Sequence, residues 1–477
     1  MRRSASLPVV LLLGGFLAGC ADQTVAPAGP LAPPAAQLNK AAGFSASGNQ
    51  MVVFTTAVPD DFSVTVEDLG GRVLSVFDQI GVAVVTGLDN TGARTLRKAH
   101  GVQYVEPEPM FTVGPVGEPQ LQAMDATPAS PSDPTAAYFY ARQWNMLAIH
   151  ADEAWAAGRL GSADVTVGIL DSGLDYQNID LAGLVDLSRS ASFVGGDYKD
   201  SNGLTDDDYV AMYFPGANPI ADIGFHGTHV GATVSSNGML AAGVTSHVTL
   251  IGAKICSVAL GYCPGGAITA GLLFAVDQGA DVINLSLGSN LNRSEAPGYV
   301  SVLNRLMTYA NSHGVTVVVA AGNEAVDLDH DGDLFAWFCQ TPNVVCVSAT
   351  GPTASEGVNG PWTNVDAPAP YTNYGRSSID VAAPGGSAGG WVWATCSQFS
   401  LLIPACQTGY YVVGATGTSM ATPHVAGIAA LLVEQYGRNP GRIKAALEQT
   451  ADDLGQAGTD PFYGKGRVNA ARAVGAM

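Results

Sequence analysis

Short, continuous apolar runs recur through the second half of the chain at 165–170, 250–255, 281–287, 315–321, 344–349 and 379–383. Each is too short for a helix that packs on its own, and several carry Val or Ile on both alternating faces. That pattern predicts strands buried on both sides, as in a parallel sheet covered by helices. Helical spacing fills the gaps: residues 268–278 form one such stretch, and Leu303, Leu306, Met307 and Ala310 fall on one face of another. Strand and helix in alternation predict an α/β fold, a doubly wound and mostly parallel sheet from residue 138 to the end. In such a sheet the ligand site lies beyond the carboxyl ends of the strands.

Polar groups stand at those ends. The first run leads straight into Asp171-Ser172-Gly173, and the run ending near Ala321 into Gly322-Asn323. His226-Gly227-Thr228-His229-Val230-Gly231 opens a helix after a long loop. Gly417-Thr418-Ser419-Met420-Ala421-Thr422-Pro423-His424 opens another. Ser419 then sits at the positive end of a helix dipole, and Pro423 suits a first helical turn. Ala426, Gly427, Ala429 and Ala430 let that helix press against its neighbour. Singly, each residue has a plain alternative: Asp171 as a turn or cap residue, His226 as a core histidine, Asn323 as a left-handed turn residue, Ser419 as an N-cap. Together they supply a nucleophile, a base, an orienting acid and an amide donor.

These four motifs, in the order Asp, His, Asn, Ser, resemble those of the subtilisin-like serine proteases. The resemblance covers roughly 138 to the end. It implies a serine endopeptidase in which Ser419 attacks, His226 shuttles the proton, Asp171 orients the imidazole and Asn323 stabilises the oxyanion. It implies that Ser286-Leu287-Gly288, with Gly322, binds peptide as an added strand. His229 and His424 read as structural. No cofactor is required for that chemistry. Residues 49–111, with strand patterns at 51–54, 71–77, 81–87 and 102–106 and helical ones near 62–64 and 90–99, resemble the family's inhibitory prodomain, a small ferredoxin-like α+β unit. Its stretch 104–108 is expected to leave the active site as a cleaved product does. The chain is thus expected to be a self-processing zymogen, inhibited by its own prodomain, with residues 112–137 as a linker holding the processing site and 138–477 as the catalytic domain.

The chain departs from the family in two places. Gln177-Asn178-Ile179-Asp180 stands where His-Pro-Asp is common, and Ser235-Ser236-Asn237-Gly238 is shorter than a segment that carries calcium in many members, which leaves Asp180 without its usual partners. Asp327, Asp329 and Asp331 have the DxDxDG start of a calcium loop but Phe338 at its twelfth position. A structural calcium and a solvated acidic turn both remain open there. Asp206-Asp207-Asp208 reads as a solvated loop. No acidic residue stands in 286–288 or 320–322, which points to broad or apolar side-chain preference.

The amino terminus gives the address. Arg2 and Arg3 precede an apolar stretch at 7–16, too short to span a bilayer. Leu17-Ala18-Gly19-Cys20 resembles the lipobox of bacterial lipoproteins, which implies a signal peptide over 1–19, a lipidated Cys20 and membrane attachment through an Ala/Pro-rich tether over 20–48. The reading is an exported cell-envelope precursor, its mature domain extracellular or periplasmic. Of seven cysteines, six then remain in three local couples, Cys256 with Cys263, Cys339 with Cys346 and Cys396 with Cys406. Outside the cytosol such couples read as disulfides, although sequence alone leaves their connectivity open. A net charge of −20 with only 13% charged residues excludes the basic surface that nucleic acid calls for. The expected partners are protein or peptide substrates, and a monomer is expected. An adhesion module on an inactive protease scaffold and an esterase are the alternatives; the complete residue set opposes the first, and the Ser…Asp…His order of the second is absent.

Overall fold

A computed structural model describes residues 45–126, 133–288, 290–336 and 338–476. Cys20, the signal segment and most of the tether lie outside the described residues.

The strand that organises the catalytic domain is β6 (Thr166–Asp171), buried at every position. Its sheet is completed by β7 (Ala191–Ser192), β8 (Thr249–Lys254), β10 (Val282–Leu285), β11 (Thr316–Ala320), β12 (Val344–Thr350) and β13 (Val381–Pro384), in the order β13-β12-β11-β10-β6-β8-β7 and all parallel. The chain leaves β6 to β8 on one side and returns to β10 on the other. That reversal makes the carboxyl end of β6, where Asp171 stands, the switch point of the sheet. The expected α/β fold is thereby borne out.

Helices cover both faces. On one lie α5 (Gly265–Asp277) and α6 (Pro297–Ser312), packed over Ile251, Ile283, Val317 and Val319. On the other lie α4 (His226–Val234) and α7 (Thr418–Tyr436), over Val167, Ile169 and Val318. Each fully buried Val, Leu or Ile contributes about 1.5–3 kcal/mol. The first sixteen residues of α7, Thr418 to Val433, are all buried, and its Ala and Gly residues make that close approach possible: a Cβ on Gly427 would meet Val244.

The amino-terminal unit builds a second sheet. It runs β1 (Ser45–Phe54), α1 (Phe62–Asp68), β2 (Arg72–Phe77), β3 (Val82–Thr86), α2 (Asn90–Leu96) and β4 (Val102–Phe111), with strand order β2-β3-β1-β4. This is a split βαβ arrangement with its own core of Val52, Phe54, Val66, Leu96 and Val105. It rests on the larger domain through two carboxylates. Glu106 accepts from the N–H groups of Gly298 and Tyr299 at the start of α6, at 2.9 and 3.2 Å. Glu108 accepts from Gly266 N–H at the start of α5, at 2.7 Å, and from Tyr198 Oη. Helix amino termini with unpaired N–H groups favour such anions. Arg305 of α6 answers in the other direction, donating to the carbonyls of Phe54 and Ile80.

Several expectations need correction. The strand read at 102–106 continues to Phe111, and the stretch read as linker contains a further strand, β5 (Gln120–Ala123). Stretch 104–108 therefore does not leave the cleft; it docks on α5 and α6. Asp206-Asp207-Asp208 is no solvated loop but the first turn of α3 (Asp206–Tyr213). Asp206 is buried, takes hydrogen bonds from Ser257 Oγ and the N–H groups of Val258 and Ala259, and pairs with the equally buried Lys254 at 3.4 Å. Asp208 and Thr205 cap the helix reciprocally. Pro423 stands in the second turn of α7, not the first. The three local cysteine couples are all bonded.

Candidate active site

Asp171 closes β6, and His226 is the first residue of α4. His226 Nδ1 lies 2.8 Å from Asp171 Oδ1, both side chains being all but inaccessible to solvent. For α4 to come so near β6, residue 227 can carry no side chain: a Cβ there would run into the carbonyl of Gly173. The amino terminus of α4 is braced from below by Asp222, a buried carboxylate that accepts from Thr228 N–H and Oγ1, from Gly224 N–H and from Ser172 Oγ. Ser172 in turn accepts from Gly227 N–H at 3.0 Å. Burial raises the Asp222 carboxyl against those donors. His226 Nε2 is left without a hydrogen-bond partner. An imidazole tied down at Nδ1 and open at Nε2 can take a proton at Nε2.

Helix α7 packs on α4 and brings Ser419 to this side of the sheet as its second residue. Asn323 follows β11. Its Oδ1 accepts from Thr418 N–H at 2.8 Å and Thr418 Oγ1 at 2.9 Å, which commits the oxygen and turns the amide NH₂ the other way. Thr418 Oγ1 also accepts from Gly322 N–H. Thr418 thus fixes Asn323 beside the serine, so that an amide donor and a hydroxyl share one helix mouth, an arrangement able to stabilise an oxyanion.

Pro423 has no N–H, so the carbonyl four residues back, that of Ser419, has no helical partner. Ser286 supplies one: its Oγ donates to Ser419 O at 2.8 Å and accepts from Asn284 Nδ2. Ser286 and Leu287 are both buried, so the side chain of Ser286 serves the serine helix from beneath.

The Subtilase family model matches residues 162–466. The chain belongs to the subtilase family. Thermitase from Thermoactinomyces vulgaris is 32% identical over 350 residues, 72% of this subtilase and 99% of that protein. The thermophilic serine proteinase of Bacillus sp. strain AK1 is 30% identical over 432 residues, 88% and 82% of the two chains. The epidermin leader peptide processing serine protease from Staphylococcus aureus has the same fold, with a TM-score of 0.67 over 89% of this chain and 97% of that one, at 20% identity. This subtilase is a subtilisin-like serine endopeptidase.

Its own chain is tied down at two points of the catalytic domain. Phe111, at the end of β4, pairs antiparallel with Cys263 of β9 (Cys263–Pro264). Cys263 is bonded to Cys256, whose N–H donates to Asp171 O. Five residues on, Val116 N–H donates to Thr416 O at 2.7 Å, and Thr416 Oγ1 donates to Val116 O at 2.8 Å. Thr416 stands three residues before Ser419. Residues 112–115 lie between these two anchors, and Ser419 is only 3% exposed.

The other expected site residues fall differently. Asp327, Asp329 and Asp331 do not converge. Asp327 accepts from His330 Nδ1 and Asp329 N–H, Asp329 from Ser377 and Ser378, and Asp331 from Gln340. Among the described residues no group of three or more acidic, His or Cys side chains is arranged around a metal position. The carboxylates of this acidic turn are taken by donors of the protein itself. Asp180, by contrast, has new partners: the N–H groups of Met239, Leu240 and Ala241 converge on it at 2.7, 2.9 and 3.1 Å. The shortened loop folds its own backbone onto the carboxylate. His229 Nε2 bonds the carbonyls of Val392 and Val413, and His424 Nε2 bonds Asn145. Sequence reasoning missed Thr418, Ser172 and Asp222; the first two adjoin recognised residues, and the third carries no local signal.

Proposed function

We propose that this subtilase hydrolyses peptide bonds through an acyl-enzyme on Ser419. Ser419 Oγ attacks the scissile carbonyl and gives its proton to His226 Nε2. Asp171 holds the imidazole in the tautomer that makes this possible and stabilises the imidazolium. Asn323 Nδ2 and a backbone N–H at the mouth of α7 receive the oxyanion. Collapse expels the amine with the proton from His226, and water, activated by the same imidazole, releases the acid. The buried Asp171–His226 bond is the observation that carries this reading. The test is labelling with a fluorophosphonate alongside casein and short-ester hydrolysis. The reading expects label on Ser419 alone and casein digestion lost in Ser419→Ala; preference for the short ester, or label elsewhere, overturns it.

The substrate-like path of residues 111–116 supports a zymogen. The unit before it acts as an intramolecular inhibitor, Glu106 and Glu108 fix it on α5 and α6, and the first self-cut falls between Phe111 and Val116. Peptide substrates bind along Gly288 and Gly322 with broad or apolar preference. The precursor is exported and held at the membrane through lipidated Cys20, which lies on the inhibitor side of the cut. Processing therefore frees the catalytic domain. Fractionation of cells expressing the wild type tests this: a mature domain that stays in the membrane fraction contradicts release.

A further inference from the structure

Strand β15 (Tyr411–Ala415) lies in a small sheet ordered β14-β15-β5, between β14 (Val392–Thr395) and β5. Antiparallel partners are Gln120 with Gly414, Leu121 with Val413, Gln122 with Val412 and Ala123 with Tyr411. The pairing continues at both ends on the same side: Met124 N–H donates to Tyr410 O, and Val116 N–H donates to Thr416 O. Tyr411 O instead accepts from Cys396 N–H on the far side. Because strand groups alternate in direction, residues 410, 412, 414 and 416 present their carbonyls to β5.

What occupies this edge is held by backbone. Gln120, Leu121 and Gln122 are all exposed, and Leu121 keeps 39% of its surface. Main-chain bonding with solvent-facing side chains is the sequence-tolerant mode of strand addition. The occupant also has a direction. Phe111 pairs with Cys263, and with the self-cut placed between Phe111 and Val116 everything after Val116 follows the path that the amine product takes.

We propose that the β15 edge, Tyr410 to Thr416, is an extended docking strand for the leaving-group side of protein substrates, and that β5 is its removable occupant in the zymogen. The partner is any extended polypeptide segment, bound with period-two backbone contacts and little side-chain selectivity. The edge favours long, unfolded protein substrates over short peptides. This inference rests on Ser419 being the nucleophile of this cleft.

The test uses processed enzyme from the full chain and two fluorogenic peptides identical on the acyl side. One carries a leaving side of about two residues, the other about ten, long enough at ~3.4 Å per residue to reach Tyr411. Several added backbone hydrogen bonds raise kcat/KM for the longer peptide by about tenfold. N-methylation at the positions matching Gln120 and Gln122 abolishes the gain, and at those matching Leu121 and Ala123 leaves it. Equal kcat/KM for the two peptides, or a gain insensitive to which amides are methylated, overturns the proposal. Cleavage of neither peptide counts instead against the assignment of Ser419.

Discussion

Ser286 Oγ donates to the carbonyl of Ser419, which Pro423 leaves without a helical donor. The contact joins the end of β10 to the mouth of α7 and makes a helix-breaking residue tolerable beside Ser419. Ser286→Ala leaves that buried carbonyl unpaired, a loss of about 1–3 kcal/mol. Pro423→Ala restores the missing N–H. Thermal denaturation in a Ser419→Ala background should show Ser286→Ala far less harmful when Pro423→Ala is present, a coupling of neighbours. Additive effects would contradict the relationship.

Asn323→Ala removes the amide that the proposed mechanism assigns to the oxyanion. Turnover should fall by about 10²–10³, the size known for the corresponding donor of a subtilisin, with KM little moved. Steady-state kinetics on one peptide decide it; a change confined to KM would place Asn323 in substrate binding instead.

Stability should depend on pH through opposed buried groups. Burial pushes Asp180 up to about 6, and pushes His229 and His424 down to about 4. Unfolded values are about 3.9 for Asp and 6.5 for His. Between these limits the folded state binds more protons at Asp180, so its stability contribution is present at low pH and lost as pH rises towards 6. The unfolded state binds more at the two histidines, so their contribution is lost as pH falls from 6.5 towards 4. Asp175, also pushed up to about 6, acts with Asp180. Asp180→Asn removes one counterweight to the histidines. Melting temperature from pH 4 to 6.5 should then climb more steeply in the variant than in the parent, both carrying Ser419→Ala. Parallel curves would contradict this balance.

Lys254→Met strands the buried Asp206 carboxylate. Removing one partner of such a pair costs about 3–5 kcal/mol. Chemical denaturation of the inactive protein measures it, and a neutral effect would mean that Ser257, Val258 and Ala259 alone satisfy Asp206.

The fold was legible because its signal is local: runs such as 165–170 and 315–321 are buried on both faces, and their apolar continuity shows it. Asp171, His226, Asn323 and Ser419 stood out because each sits in a dense local motif. What stayed hidden depends on partners far along the chain. Asp206 looks like surface acid until Lys254 and Ser257 are brought to it. Asp329 and Asp331 give no sign in the local sequence of their donors Ser377 and Gln340. Strand β5 carries little apolar pattern, because only its backbone is used.

The central claim is that Ser419 cuts its own chain between Phe111 and Val116. The most direct measurement is the earliest new amino terminus formed by the wild type, beside the Ser419→Ala protein, both made by cell-free synthesis. The account predicts a wild-type terminus between residues 112 and 116 and an intact Ser419→Ala chain. The same cut in Ser419→Ala, or a first wild-type cut outside that stretch, would contradict it.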